Sequence, residues 1–174
     1  NTEFRSTWVI TWDHINRYEN SGQNLYRLRK IMDDHVDANM NAVIFQVRQS
    51  GTAYYKSSYE PWGYYAGYQY PGYDPLEAAI EEAHSRGLEL HAWFNVFQTS
   101  SIYDGTPAAE NPEWVCRDQN GNSMSSYRSL SPGLEDVRKY TVNVAMEIVR
   151  NYDIDGLHLD YVRWNEHTTV SYTH

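Results

Sequence analysis

A strand-then-helix alternation, repeated along the whole chain, leaves few folds open. Thr7-Trp8-Val9-Ile10-Thr11-Trp12 is β-branched and aromatic throughout and short, the pattern of a buried strand. From Asn24 to Val36, the spacing of Leu25, Leu28, Ile31, Met32 and His35 or Val36 predicts an amphipathic helix, with Arg27, Arg29 and Lys30 on its wet side. Ala42-Val43-Ile44-Phe45-Gln46-Val47 is a second strand. Asp74-Pro75 then supplies an N-cap and a first-turn proline for a helix that Gly87 stops, with Leu76, Ala79, Ile80 and Ala83 on one face. Leu88 to Phe94 is the third strand. Leu134 to Tyr152 carries a stripe of Val137, Tyr140, Thr141, Val144, Ile148 and Val149, and Leu157 to Trp164 is the fourth strand with its mouth.

Repeats of this kind, with no hairpin signal between them, imply a parallel sheet in an α/β fold. An open doubly wound sheet and a closed barrel both accept them. The first turn, Asp13-His14-Ile15-Asn16, has no glycine, and neither G-x-G-x-x-G nor a P-loop occurs, so no nucleotide cofactor is expected. The stretches Arg48 to Tyr73 and Asn95 to Pro132 are long and rich in Tyr, Trp, Asn and Ser, which suits the binding rim of a barrel. At 174 residues the chain is short of the roughly 250 of a whole (β/α)₈ barrel. The expected fold is therefore the first half of a TIM barrel, with about four strands and three to four helices in a single domain over residues 1–174, truncated after strand four.

Composition narrows the partners. With 14 Lys plus Arg against 23 Asp plus Glu and a net charge of -9, no basic footprint for nucleic acid is present. No apolar run reaches membrane-spanning length, and Asn1 to Arg5 lacks the pattern of a signal peptide, so a soluble domain is expected, with any leader already removed. The single Cys116 cannot form an internal disulfide and has no metal-ligand spacing around it. Sixteen Tyr and six Trp against four Phe favour rings with a polar edge, which stack on sugar faces and also serve protein interfaces.

Side chains alternate along a barrel strand between the helical layer and the interior, and those at the carboxyl ends face the active-site mouth. Assigning Val43, Phe45 and Val47, then Leu88, Leu90, Ala92 and Phe94, then Leu157 and Leu159 to the helices leaves a polar interior set. That set is Gln46, Arg48, Glu89, His91, Trp93, Asn95, His158 and Asp160. A core built for stability alone would be aliphatic, because buried polar groups cost free energy unless paired. Single members still have structural readings: either histidine as a hydrogen-bonded core residue, Arg48 as the partner of Asp160. His91, His158 and Asp160 could form a two-histidine, one-carboxylate metal set, but no H-x-x-x-H or H-E-x-x-H spacing accompanies them and no metal is expected. No G-x-S-x-G elbow marks a serine nucleophile. Glycoside hydrolysis needs two carboxylates. Asp160 is the best placed, with Asp13 after strand one and Glu166 beyond strand four as local candidates for the second.

Several segments carry a resemblance: Phe4-Arg5-Ser6-Thr7-Trp8-Val9, Asn41 to Arg48, Tyr59-Glu60-Pro61-Trp62, Pro71 to Leu76, Glu81 to Asn95, Asn111-Pro112-Glu113-Trp114, Leu130 to Gly133, and Asp155 to Arg163. In this order and spacing the chain resembles the glycosyl-hydrolase-like 10 family over about its whole length. The resemblance implies a TIM barrel, a secreted or bacterial cell-envelope location, and hydrolysis of glycan chains, some relatives cutting peptidoglycan strands stripped of peptides. It implies Asp160 as the catalytic carboxylate, with Gln46, Arg48, Trp62, His91, Trp93, Asn95, His158, Tyr161 and Arg163 around the sugar. Nothing corresponds to strands five to eight, which leaves a fragment of a longer barrel, a half-barrel closed by a second copy, or a minimal enzyme with both carboxylates local; the open parallel edge makes a homo-oligomer that closes the half-barrel the expectation.

Three function classes follow. The first is an endo-acting glycosidase on a β-linked polysaccharide, either xylan or glucan or the glycan of peptidoglycan. The second is a non-catalytic carbohydrate-binding half-barrel, and the third a metal-dependent hydrolase or deacetylase.

Overall fold

In the computed structural model the described residues are 3–100, 103–124, 128–163 and 170–171. Four parallel strands carry the sheet, β1 (Ser6–Val9), β2 (Ala42–Gln49), β3 (Glu89–Asn95) and β4 (Gly156–Asp160), and the two-residue strand Thr52–Ala53 turns back to pair antiparallel with the end of β2, a hairpin that the sequence does not signal. Their spatial order, β1-β2-β3-β4, is their chain order. A doubly wound sheet reverses direction at a switch point, whereas a barrel adds each strand on the same side of the last. This sheet does the latter. It also curls: the Trp8 indole on β1 donates to His158 Nε2 on β4 at 3.1 Å, although two strands lie between. At roughly 4.8 Å per strand a flat sheet would hold these side chains well apart. The fold is a partial barrel, as the alternation predicts.

Three long helices lie between the strands, α1 (Ser21–Asp37), α2 (Pro75–His84) and α3 (Glu135–Asn151). Helix α1 begins three residues earlier than the apolar spacing predicts because Asn20 and Gln23 form a capping box, each side chain accepting the other's backbone N–H at 2.9 Å. Its buried face is Asn24, Leu28, Met32 and His35, and Val36 is exposed. Asp74 caps α2 by accepting from the amides of Leu76 and Glu77 at 3.1 and 3.2 Å. Gly87, at φ 72°, takes the left-handed conformation that follows α2. Helix α3 has no side-chain cap, but Glu135 and Asp136 oppose the positive end of its dipole. Val137, Thr141, Val144 and Ile148 are buried on it, while Val149 faces water.

Two strands are shorter than their composition suggests. The first ends at Val9, and Thr11–His14 is a helical turn, because the Thr11 amide donates to the buried Gln46 side chain at 3.0 Å instead of to a neighbouring strand. The fourth ends at Asp160, whose Oδ1 accepts the Tyr161 amide at 2.7 Å while Tyr161 turns to φ 55°.

Val43, Phe45, Val47, Leu90, Ala92 and Phe94 pack against the helices as the alternation requires, joined by Leu28, Met32, Leu76, Ile80, Val144 and Ile148. Cys116 is fully buried, and burial pushes its thiol up to about 11. The alternation fails at Arg48. A β-bulge between Gln46 and Arg48 shifts the register, and the Arg48 side chain turns to the helical side, where it is 1% exposed. Its guanidinium lies 4.6 Å over the Phe94 ring. Nε donates to Glu60 at 2.9 Å, and Nη1 donates to the carbonyls of Asn95 and Val96 at 2.6 and 3.0 Å. Tyr140 of α3 donates to the same Glu60 at 3.0 Å. Burial alone would lower the Arg48 guanidinium, but the charge and hydrogen bonds of Glu60 outweigh it and hold it above its ordinary value.

Removing one member of such a pair strands a buried charge, so Glu60→Gln is expected to lower the urea-unfolding free energy by about 3–5 kcal/mol. The double variant Arg48→Met, Glu60→Leu should recover most of that loss. A single-variant loss well under about 1 kcal/mol would mean that the pair does not hold the sheet to the loop.

Candidate functional site

The open concave face of the sheet collects the polar residues. In register, Trp8, Ile44, His91 and Gly156 lie side by side, then Gln46, Trp93 and His158, then Asn95 and Asp160 at the carboxyl ends. Trp93 lies between two of the others. Its indole N–H donates to Asp160 Oδ2 at 3.1 Å, and its ring meets His158 edge-on at 6.5 Å. His158 in turn meets the Trp8 ring at 5.9 Å. Both Asp160 oxygens therefore have a donor, the indole on one and the Tyr161 amide on the other, which fixes the carboxylate plane while leaving lone pairs free. The Asp160 carbonyl also accepts the Val96 amide at 2.8 Å, so the backbone on both sides of the carboxylate is tied to the end of β3.

Asn95 adjoins Asp160 in the register and is buried. Its amide nitrogen donates to Gln98 at 2.9 Å, while its Oδ1 is a buried acceptor with no partner among the described residues. Such an orphaned atom costs free energy unless a ligand donor satisfies it. Trp93 is buried, but Trp8 is 61% exposed, so the aromatic surface of this face opens outward.

Gln46 is buried, and its side-chain oxygen accepts the Thr11 amide. Its carbonyl accepts from His14 Nε2 at 3.0 Å, and His14 stacks on Phe45 at 4.0 Å. The two contacts fix the Thr11–His14 turn against β2. His91 sits at the opposite, amino end of β3, where it donates to Glu89 at 2.8 Å. Its ring packs so closely on Gly156 that a Cβ there would overlap it. Arg48 is withdrawn into its pair with Glu60. Trp62 is half-buried, tilted against Tyr70 at 5.7 Å on the rim. Arg163 is exposed, its guanidinium 4.4 Å over the Tyr161 ring.

Asp13 lines a separate cleft of about 690 Å³, with Glu19, Gln23, Tyr26, Arg27 and Lys30 of the α1 side as neighbours. Asp160 does not line that cleft. Glu166 lies outside the described residues. Among the described residues, no three His, Cys, Asp or Glu side chains gather as a metal ion requires. Nor is any described helix long and apolar enough to cross a membrane. Trp8 is the site residue that the sequence reading left unassigned, although the same alternation applied to β1 places it beside Ile44 and His91.

The model of the family described as Glycosyl hydrolase-like 10 matches residues 3–172. Glycosyl hydrolase YngK of Bacillus subtilis (strain 168) is 35% identical over 172 residues, covering 91% of this chain and 32% of its own length. The chain thus spans about a third of the length of the curated relatives it matches. Among solved structures, a hypothetical protein from Ruminiclostridium thermocellum superposes with a TM-score of 0.69 at 19% identity, over 94% of this chain and 80% of that one. The maltogenic α-amylase AmyB from Thermotoga neapolitana gives 0.62 at 16% identity, over 92% of this chain and 39% of that one. At these identities the two structures speak to the fold alone.

The burial of His14 makes stability pH-dependent. Desolvation lowers its pKa from 6.5 to about 4, against the smaller opposing effect of its bond to Gln46. The unfolded chain therefore binds the extra proton first, and the His14 contribution is complete above pH 6.5 and lost as pH falls towards 4. Wild type should lose about 3 kcal/mol more than His14→Gln between pH 7 and pH 4 in urea unfolding. Parallel pH profiles for the two proteins would contradict this.

Proposed function

Because the chain belongs to the glycosyl hydrolase-like 10 family, we propose that it is a glycoside hydrolase cutting within the chains of a β-linked polysaccharide, either a xylan or glucan or the glycan of peptidoglycan. The observation that carries this reading is Asp160, held at the carboxyl end of β4 by the Trp93 indole on an open face floored with aromatic rings. A sugar ring stacked on the exposed Trp8 would bring the glycan onto the face that carries the carboxylate. His158 and the orphaned Asn95 oxygen would meet its hydroxyls, with Tyr161, Arg163 and Trp62 at the rim.

Acid–base hydrolysis requires a second carboxylate, about 5 Å from the first for retention and about 6.5–9.5 Å for inversion. Asp13 faces another cleft. Under this reading the partner is Glu166 or a residue carried by further barrel strands. A polysaccharide substrate places the protein in the cell envelope or outside the cell. A non-catalytic glycan-binding role is favoured only if that second carboxylate never reaches the site.

Asp160→Asn separates the two. With reducing-sugar release measured on xylan, carboxymethyl cellulose and denuded peptidoglycan, the variant should lose about a hundredfold or more of kcat while its glycan Kd stays close to wild type. Equal turnover in both proteins would remove Asp160 from the chemistry.

The edges of the sheet support a second proposal. Within the described residues β1 and β4 each pair on one side only, and Trp8, Leu159 and Val162 next to those edges are exposed. We propose that a second copy covers this face when no other strands do. Light scattering should give twice the 20.4 kDa chain mass. A clean monomer across the micromolar range would rule the pairing out.

A further inference from the structure

A line of aromatic rings runs along the rim beside the proposed site. Successive centroids from Trp12 to Tyr65, Tyr64, Tyr68 and Tyr103 lie 5.7, 5.2, 5.8 and 3.9 Å apart, so each ring touches the next. Core aromatics cluster to escape water, but here Trp12, Tyr64 and Tyr103 are 49, 46 and 41% exposed. A contiguous exposed aromatic surface on a folded domain marks a binding site more often than chance packing. Arg17 fixes its middle, with the guanidinium 4.4 Å over Tyr64 and 5.8 Å from the Tyr68 ring.

Beside the rings lies a cleft of about 280 Å³, lined by Gln49, Ser50, Ser100, Tyr64, Tyr65 and Tyr68 among others. None of its lining side chains carries a charge, yet hydroxyls and an amide are plentiful. That combination suits a neutral, hydroxyl-bearing ligand. Ser50 and Tyr68 both hold left-handed backbone at φ 53° and 59°, a conformation that costs a non-glycine residue free energy and concentrates at ligand clamps. The Ser50 and Ser100 hydroxyls meet at 2.6 Å, which locks the loop after β2 to the loop after β3. Gln49 ends β2, Trp12 follows β1 and Ser100 follows β3, so the rings stand at the same end of the sheet as Asp160.

We propose that this ribbon is a glycan-binding track, which stacks an uncharged stretch of the polysaccharide chain outside the Asp160 site. The proposal rests on the glycosidase reading for its ligand class, but not on Asp160 for its binding. Stacking on these rings holds parts of the substrate remote from the cut, so it acts on long chains and not on short ones.

The test is calorimetric binding of xylohexaose, cellohexaose and chitohexaose, with the matching disaccharides, to Asp160→Asn protein carrying Tyr64→Ala or Trp12→Ala. Each truncation should weaken the best-bound hexasaccharide about three- to tenfold and leave the disaccharide unchanged. Near-ultraviolet circular dichroism and Tm establish that the variants are folded. If Tyr64→Ala fails that check, Trp12→Ala on its short surface turn decides alone. Equal losses for both lengths, no loss for the hexasaccharide, or no hexasaccharide binding by the parent would each overturn the track. Length-dependent binding together with a wild type that cleaves none of the three polysaccharides would uphold the track and sink the hydrolase. Normal cleavage with unaltered binding in both variants would do the reverse.

Discussion

The buried ion pair between Arg48 and Glu60 is the interaction on which the rest of the arrangement depends. A β-bulge in β2 turns Arg48 out of the interior, and the guanidinium ties together three parts of the chain. It holds the long loop after β2 through Glu60, the end of β3 through the carbonyls of Asn95 and Val96, and α3 through the Tyr140 hydroxyl on Glu60. Taken out of water, such a pair adds little net stability over a well-packed apolar replacement, because desolvation offsets the attraction. Its consequence is positional. Val96, one of the two residues whose carbonyls it grips, also donates its amide to the Asp160 carbonyl, so the clamp on the helical side sets the height of the carboxylate on the other.

With its strongest cation withdrawn, the concave face keeps neutral and aromatic groups around one well-placed carboxylate. Trp8, His158 and Trp93 touch in sequence, and the Trp93 indole orients Asp160. A face of this kind does not minimise the free energy of folding, since an Asn95 oxygen with no partner among the described residues and a mostly exposed Trp8 are both unfavourable on their own. Both become favourable against a sugar, whose apolar face covers an indole and whose hydroxyls donate to an amide oxygen. Family membership and the physical character of the face point to the same chemistry from independent directions.

The strands and helices were legible because hydrophobic period, an Asp-Pro cap and a Gly stop all act locally. The alternation of side chains was legible for the same reason, and Trp93, Asn95, His158 and Asp160 fall where it puts them. Arg48 defeated it because a bulge adds one residue without changing the pattern of apolar and polar letters. The end of strand one misled in a related way: Thr11 and Trp12 have strand-forming side chains, but the Thr11 amide donates to Gln46 and the chain bends into a helical turn. The tyrosines were visible as composition, but the contacts from Trp12 to Tyr103 span some ninety residues of chain, and adjacency at that range depends on which loops the barrel brings side by side.

The central claim is that the concave face around Trp93 and Asp160 is where the glycan lies. A crystal structure of Asp160→Asn protein soaked with a hexasaccharide tests it most directly. Saccharide ordered on the concave face, with a glycosidic oxygen about 3 Å from the residue 160 side chain and a hydroxyl on Asn95 Oδ1, is the predicted result. Saccharide ordered only in the cleft beside Asp13 and α1, with the concave face bare, would contradict it.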